Sequence, residues 1–195
     1  MMGMKPTPAT AIGVMACWLI VQVGAIAASA MRVRISALAP SDAETWAMAQ
    51  LLVTQVMLIS IAGTLVLRQW IGVVSTAATY PPMWAVAGLL AGVDVERWWI
   101  GGAVVMSWHL GVGAIAIHWE RSRAWIACLA TLLALAGPVL VYLAADARRN
   151  LPMSIIEPIS PTLAAVRSNP AGLLLPLMLL CVALIRPFMR RPAAR

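Results

Sequence analysis

Few side chains within the apolar part of this chain could do chemistry, and His109 is the main one. In Ser107-Trp108-His109 a serine stands two residues before a histidine. On a helix these two side chains point to different sides, which is poor geometry for a nucleophile and its base. His118 follows two and a half helical turns after His109, so the pair would not share a metal ion. Two interpretations of His109 stay open: a neutral histidine bonded to a neighbouring helix, or a haem or metal ligand.

The other polar residues do not form a known catalytic motif. All seven acidic residues lie at the ends of apolar segments or between them, so none marks a proton or ion path. The chain has no Gly-rich phosphate loop, no H-E-x-x-H motif and no paired cysteines. We therefore expect no catalysis, no bound metal or cofactor, and ATP only through a partner protein. Cys17, Cys128 and Cys181 are expected to be small packing residues.

Gln22 and Gln55 are polar residues inside apolar segments. In a membrane such side chains usually form hydrogen bonds between helices, each worth about 1 kcal/mol or less. We expect that role for both residues. A contact between Gln55 and a substrate is the alternative.

The elements that would position these residues are membrane helices. Of the 195 residues, 62% are hydrophobic and 11% are charged, whereas soluble domains carry about 25% charged residues. The apolar runs are close to the ~20 residues that a helix needs to cross a bilayer. We predict an all-α, polytopic transmembrane bundle that forms one membrane domain over residues 1–195. Six spans are predicted, at about 9–31, 43–67, 70–93, 98–118, 124–145 and 171–187.

The basic residues predict how the bundle is oriented. The net charge is +7, and we attribute it to contacts with anionic headgroups rather than to nucleic-acid binding. Eight basic residues fall on the side of the termini: Lys5, Arg68, Arg121, Arg123, Arg186, Arg190, Arg191 and Arg195. The other side carries six: Arg32, Arg34, Arg97, Arg148, Arg149 and Arg167. This bias predicts a multi-pass protein of the cell inner membrane with both termini in the cytoplasm.

Pro81 and Pro82 stand in the middle of the third predicted span. Each proline removes a backbone donor and clashes with the preceding turn, so the span should be kinked or broken there. Gly88 and Gly92 follow at a small-xxx-small spacing that lets helices approach closely. Two interpretations stay open: a packing kink, or a discontinuous helix that lines a path. The outer connection, residues 146–170, should form short segments that lie on the outer face or dip into it.

The order of these features resembles the middle of type-2 ABC transporter permeases. The residues that carry the resemblance are the tyrosine-proline break, "LLAGV" with a short charged turn, "HWERSRA", "LAGPVL", and "IEPISPTLAAV" before the last span. The resemblance covers about residues 50–191. It implies a six-helix exporter subunit with cytoplasmic termini, an outer re-entrant region, and a separate nucleotide-binding ATPase as partner.

One difference from that family keeps a second hypothesis open. Family members usually join the second and third spans through a cytoplasmic coupling segment, whereas here only Arg68-Gln69 connect them. The alternative is therefore a noncatalytic accessory or assembly subunit of a larger membrane complex, such as a respiratory or photosynthetic one. An intramembrane enzyme or haem carrier centred on His109 is a third hypothesis.

Overall fold

The computed structural model describes residues 16–24, 27, 40–91, 95–146, 156 and 158–189. Within these residues the chain is helical throughout, apart from short turns, and contains no strand. The all-α prediction is therefore confirmed for this part of the chain.

The helices follow one another with short connections. We number them α1 (residues 16–24), α2 (Pro40–Leu58), α3 (Thr64–Val66), α4 (Trp70–Ala77), α5 (Tyr80–Ala91), α6 (Val95–His118), α7 (Arg123–Asp146), α8 (Pro161–Val166) and α9 (Leu174–Met189). A π-helical turn, Ile59–Gly63, joins α2 to α3, and 3-10 turns at Glu120–Ser122 and Pro170–Leu173 precede α7 and α9.

Within the described ranges, three helical segments are long and apolar enough to cross a membrane: Met48–Val66, Trp98–His118 and Glu120–Ala144. They coincide with the second, fourth and fifth predicted spans. The segment expected to form the last span, Pro170–Ile185, is apolar but shorter. The third predicted span is divided between α4 and α5, and most of the first lies outside the described residues.

Helix α6 lies at the centre of the bundle, and its neighbours fix the directions of the other helices. Leu52 lies beside Gly101, and Ser60 accepts a hydrogen bond from Trp108, so α2 runs parallel to α6. Pro176 packs on Gly111 and Gly172 lies near Val104, so the segment entering α9 is parallel to α6 as well. We call the two ends of the bundle the Trp98 end and the Arg123 end.

The sequence did not indicate the π-helical turn. The Ser60 hydroxyl donates to the Val56 carbonyl at 2.8 Å, and the Thr64 hydroxyl donates to the Ser60 carbonyl at 2.8 Å. Such hydroxyl-to-backbone bonds compete with the regular helical pattern and often accompany a bend. The turn presents Ser60 to the Trp108 indole, whose Nε1 lies 3.1 Å from the hydroxyl oxygen.

We expected the three cysteines to be packing residues, and this prediction is wrong. Cys17, Cys128 and Cys181 are all exposed on the outer faces of their helices. The reason is physical: lipid tails are as apolar as a protein interior, so an apolar residue in a membrane helix carries little information about which face it occupies.

Residues 146–170 were predicted either to lie on the outer face or to dip into it. The part of this connection that the structure describes is buried in the bundle. Ser160 caps the start of α8: its side chain accepts a hydrogen bond from the Leu163 backbone N–H at 3.4 Å. All five residues from Pro161 to Ala165 are buried, and α8 packs against α2, α6 and α7. A buried short helix therefore precedes the last long helix.

Candidate functional site

The third predicted span is interrupted at the predicted place. Helix α4 ends at Ala77, and α5 begins again at Tyr80. Pro81 and Pro82 lie in the first turn of α5, where backbone N–H groups have no helical partner, so the prolines begin the new helix. The backbone N–H and the hydroxyl of Thr79 both donate to the Thr76 carbonyl, at 3.1 and 2.6 Å. These bonds close the end of α4.

His109, in the middle of α6, faces this interruption and is only 1% exposed. Its Nε2 lies 3.0 Å from the Val73 carbonyl oxygen and 2.9 Å from the Thr76 hydroxyl. Its Nδ1 lies 3.0 Å from the Tyr80 hydroxyl. A carbonyl only accepts, so Nε2 carries the hydrogen, and Nδ1 then accepts from Tyr80. His109 therefore contacts α4 through one ring nitrogen and α5 through the other.

This arrangement accounts for the hydrogen-bonding capacity of His109. The Thr76 hydroxyl donates to the Gly72 carbonyl at 2.7 Å, which leaves its oxygen free to accept from His109. The arrangement is that of a neutral histidine bonded to a neighbouring segment. A haem or metal ligand at this position would first have to break one of these bonds. Among the described residues, no group of three or more His, Cys, Asp or Glu side chains is placed to hold a metal ion.

The two glutamines form a second hydrogen-bonded chain, and the prediction that they bond between helices is confirmed. The Trp84 indole N–H donates to Gln55 Oε1 at 2.7 Å, and Gln55 Nε2 donates to Gln22 Oε1 at 2.8 Å. An indole can only donate, so the direction of the chain is fixed from α5 through α2 to α1. At its end, Nε2 of Gln22 is buried without a partner.

Aromatic rings join the hydrogen bonds around His109 and those of the two glutamines into one site. The Tyr80 and Trp84 rings stack with their centroids 5.8 Å apart, and Tyr80 meets the His109 ring edge-on at 5.5 Å. The Trp18 ring, from α1, contacts both Tyr80 and His109. We call this group the polar cluster; its members are Trp18, Gln22, Gln55, Thr76, Tyr80, Trp84 and His109. It draws together α1, α2, α4, α5 and α6.

Pro81 and Gly88, which were predicted as candidates for either a structural role or a path, line a small pocket beside the polar cluster. The pocket has a volume of about 30 Å³ and is lined by Met48, Pro81, Trp84, Ala85, Gly88, Trp98 and Trp99. That space holds one or two water molecules. Pro82 is exposed on the other side of the turn, and Gly92 lies outside the described residues.

Sequence reasoning missed Tyr80 and the role of Thr76 in the site. Tyr80 and Trp84 are four residues apart, which places both on one helix face, and that local signal was available. The partner of Tyr80 is 29 residues away, and Gln22 and Gln55 are separated by 33. Nothing in a single sequence specifies such long-range pairs.

The docking of α8 is the second notable site, and it joins two of the quoted motifs. Pro138 lies inside α7, so the carbonyl of Ala134, four residues earlier, lacks its helical N–H partner. The Thr162 hydroxyl of α8 donates to that carbonyl at 2.7 Å. Hence α8 bonds to α7 at the residue just before "LAGPVL", and Gly137 within that motif packs against Ser160.

Three glycines surround α8 and leave no room for a side chain. A Cβ on Gly101 of α6 would meet the Ala165 backbone oxygen, one on Gly137 of α7 would meet Ser160, and one on Gly172 would meet Ala164. Backbone and short side chains therefore meet at very short range. We call α8 with these three glycines and Thr162 the α8 dock.

Over the residues that the structure describes, these features define a helical membrane-type bundle with three segments able to cross a membrane and a buried polar cluster at an interrupted helix. No family model, curated protein or solved structure matches this chain.

Proposed function

We propose that the chain is the membrane subunit of an ABC-type exporter and moves its substrate with a separate ATPase. In this proposal the chain crosses the inner membrane six times and has both termini in the cytoplasm. The observation that carries the proposal is the α8 dock. A short buried helix, held between α2, α6 and α7, comes directly before the last helix, in the segment that resembles the outer re-entrant region of type-2 permeases.

The position of α8 fits that role. Ala165 packs on Gly101, near the Trp98 end of the bundle, and the residues expected on the cytoplasmic side, Arg68 and Arg123, belong to the opposite end. A short helix inserted from the outer face would have this placement. Its backbone is buried in protein, as non-helical or re-entrant segments at membrane depth require.

In this proposal conduction takes place between two copies of the chain rather than through one. The polar cluster is closed by stacked aromatic rings, and the pocket beside it has room for only one or two waters. A substrate path would then run along a surface that two subunits share, with α4, α5 and His109 as the adjustable part behind it.

The test is to identify what binds the full-length chain in its native membranes. A tagged chain is extracted in mild detergent, and its stable partners are identified by mass spectrometry. We expect a nucleotide-binding protein to co-purify, and its ATPase activity to change when the chain is present. The Gly101→Ala variant, which disturbs the α8 dock, should reduce that coupling, whereas Gly63→Ala, whose Cβ makes only ordinary contacts, should retain it. Redox subunits in place of an ATPase would overturn the proposal.

The topology has its own test. In a variant without the natural cysteines, Gly3→Cys and Ala194→Cys should each react with a membrane-impermeant reagent only after the cytoplasmic face is opened. Labelling of the two positions from opposite faces would contradict six spans.

One observation favours the alternative, an accessory or assembly subunit of a larger membrane complex. Val66 ends α3 and Trp70 begins α4, so only Leu67, Arg68 and Gln69 join them. A connection of this length contains no coupling helix to which an ATPase could bind. In this case the same purification yields the other subunits of that complex, and removing the chain lowers their assembly rather than a transport activity.

A further inference from the structure

The Arg123 end of the bundle carries a group of basic residues with an excess of positive charge. Two connections contribute: residues 67–69, and the turn at residues 119–123. They carry Arg68, Arg121 and Arg123 against one acid, Glu120. The π-helical turn and α3, which lead into Arg68, both pack against α7, which begins at Arg123. We call these three arginines the basic site.

Arg123 is the buried member of the basic site, with only 9% of its surface exposed. Its Nε donates to the Ala116 carbonyl at 3.1 Å, which fixes the guanidinium against the end of α6. Its Nη1 is buried and has no hydrogen-bond partner. Glu120 attracts the guanidinium and Arg68 repels it. A charged group that is largely covered is costly unless it is paired, and Glu120 is the one acid in these two connections, so an anion bound nearby would lower that cost.

The surroundings indicate which anion. Candidate spans end at Val66 and His118 and begin at Glu120, so a membrane crossed by these segments would have its lipid headgroups at the level of the basic site. Trp125, one turn into α7, is 78% exposed, and exposed tryptophans favour that interface. Leu129 and Leu132 continue the same exposed apolar face along α7. A phospholipid suits both the basic site and the apolar face of α7. Its phosphate would neutralise the arginines, and its acyl chain would cover the exposed leucines.

We propose that the basic site binds the phosphate of an anionic phospholipid headgroup. Arg68, which is exposed, contacts the phosphate oxygens, and Arg123 beside it adds its positive charge. A guanidinium offers a planar fork of donors that suits phosphate, which a lysine ammonium does not. Basic pockets between membrane helices on the cytoplasmic side are known to hold such headgroups. The inference requires only that the chain lies in a membrane and does not depend on the proposed transport function.

The experiment measures lipid binding to the full-length chain by native mass spectrometry. Phosphatidylglycerol is titrated against phosphatidylcholine for the wild type, Arg68→Gln and Arg123→Gln. Each lost arginine should weaken phosphatidylglycerol binding about fivefold, the worth of one basic residue at an anionic surface. Arg68→Lys keeps the charge but loses the fork, and should fall between the wild type and Arg68→Gln. Arg167→Gln is the matched control, because Arg167 follows α8 near the Trp98 end.

Each outcome bears on the proposal. Loss of the preference for phosphatidylglycerol in Arg68→Gln and Arg123→Gln, but not in Arg167→Gln, supports it. If Arg123→Gln fails to fold, Arg68→Gln still decides, because Arg68 is exposed. Competition by inorganic phosphate at concentrations that leave phosphatidylcholine unaffected would show a general phosphate site and overturn the lipid assignment. An unchanged lipid preference, with loss of a co-purifying protein in Arg68→Gln, would overturn it in favour of an acidic protein partner.

Discussion

Pro138 and the pair Pro81-Pro82 both stand in apolar regions of this protein, and the backbone responds in opposite ways at the two places. In α7 the helix continues through Pro138, because Thr162 from α8 bonds the one carbonyl that the proline frees. At Pro81-Pro82 two adjacent carbonyls, those of Ala77 and Ala78, lose their donors, and the chain ends α4 and begins α5. One missing donor is within the reach of a neighbouring hydroxyl. Two in succession are better accommodated by starting a new helix.

The two regions also differ in what holds them. The α8 dock depends on backbone contact at glycines, where an added methyl group forces the structure to move. The interruption is held by side-chain hydrogen bonds from His109 to both halves. Overpacking costs about 1–3 kcal/mol, whereas a hydrogen bond between membrane helices averages roughly 0.6 kcal/mol. We therefore expect the α8 dock to be the rigid region and the interrupted helix to be the adjustable one.

The largest expected effect is on the α8 dock. Gly101→Ala places a methyl group against the Ala165 backbone oxygen and the Leu52 side chain, so α8 must shift. We expect a loss of about 1–3 kcal/mol in the free energy of unfolding, measured by denaturation in mixed detergent micelles. The control is Gly63→Ala, whose added methyl group meets only Ile59 at 3.7 Å. Equal effects of the two substitutions would mean that the close approach at Gly101 contributes nothing.

The next largest effect should come from His109. His109→Phe removes the bonds to Val73, Thr76 and Tyr80 while keeping an aromatic ring, and should cost about 1–2 kcal/mol at roughly 0.6 kcal/mol per bond. Tyr80→Phe removes only one of these bonds and should cost about a third as much. Hydrogen exchange should rise at residues 78–80 in both variants. Faster exchange spread evenly over the bundle would contradict a local bridge between α4 and α5.

The sequence predicted the features whose signals are local. The apolar runs at 43–67, 98–118 and 124–145 each contain a segment able to cross a membrane, because run length alone carries that information. The interruption at Pro81-Pro82 was predictable because proline acts on its own backbone. The burial of part of 146–170 followed from apolar groups that a solvated loop would not need.

The remainder depended on contacts between distant residues. The bridge from His109 to Tyr80 joins residues 29 apart, and the bond from Thr162 to Ala134 joins residues 28 apart. The sequence showed His109 and Pro138 but not their partners. The prediction that the three cysteines pack inside the bundle was wrong for a different reason. In a membrane both faces of a helix are apolar, so the sequence pattern that separates inside from outside in a soluble protein is absent.

A smaller effect is expected when the hydrogen bond from Thr162 to the Ala134 carbonyl, which Pro138 leaves without a helical donor, is removed. Thr162→Val leaves the Ala134 carbonyl without a donor and should cost about 0.6–1.7 kcal/mol. Pro138→Ala supplies a backbone N–H to the same carbonyl, so Thr162→Val should cost less when it is made in the Pro138→Ala background. The four proteins form a double-mutant cycle, measured as free energies of unfolding. Additive costs would show that Thr162 does not compensate for the proline.

The smallest change in stability, but the clearest separation of the two regions, should come from Pro81→Ala combined with Pro82→Ala. The double variant restores donors for the Ala77 and Ala78 carbonyls, so α4 and α5 should join into a straighter helix without loss of membrane insertion. Straightening turns Tyr80 away from His109, and the gain in backbone bonds offsets the lost side-chain bond. The expected signature is that Tyr80→Phe, which is costly in the wild type, becomes neutral in this background. If the activity of the protein were then unchanged, the interruption would be a packing feature, whereas loss of activity with stability retained would assign it to a moving part of the protein.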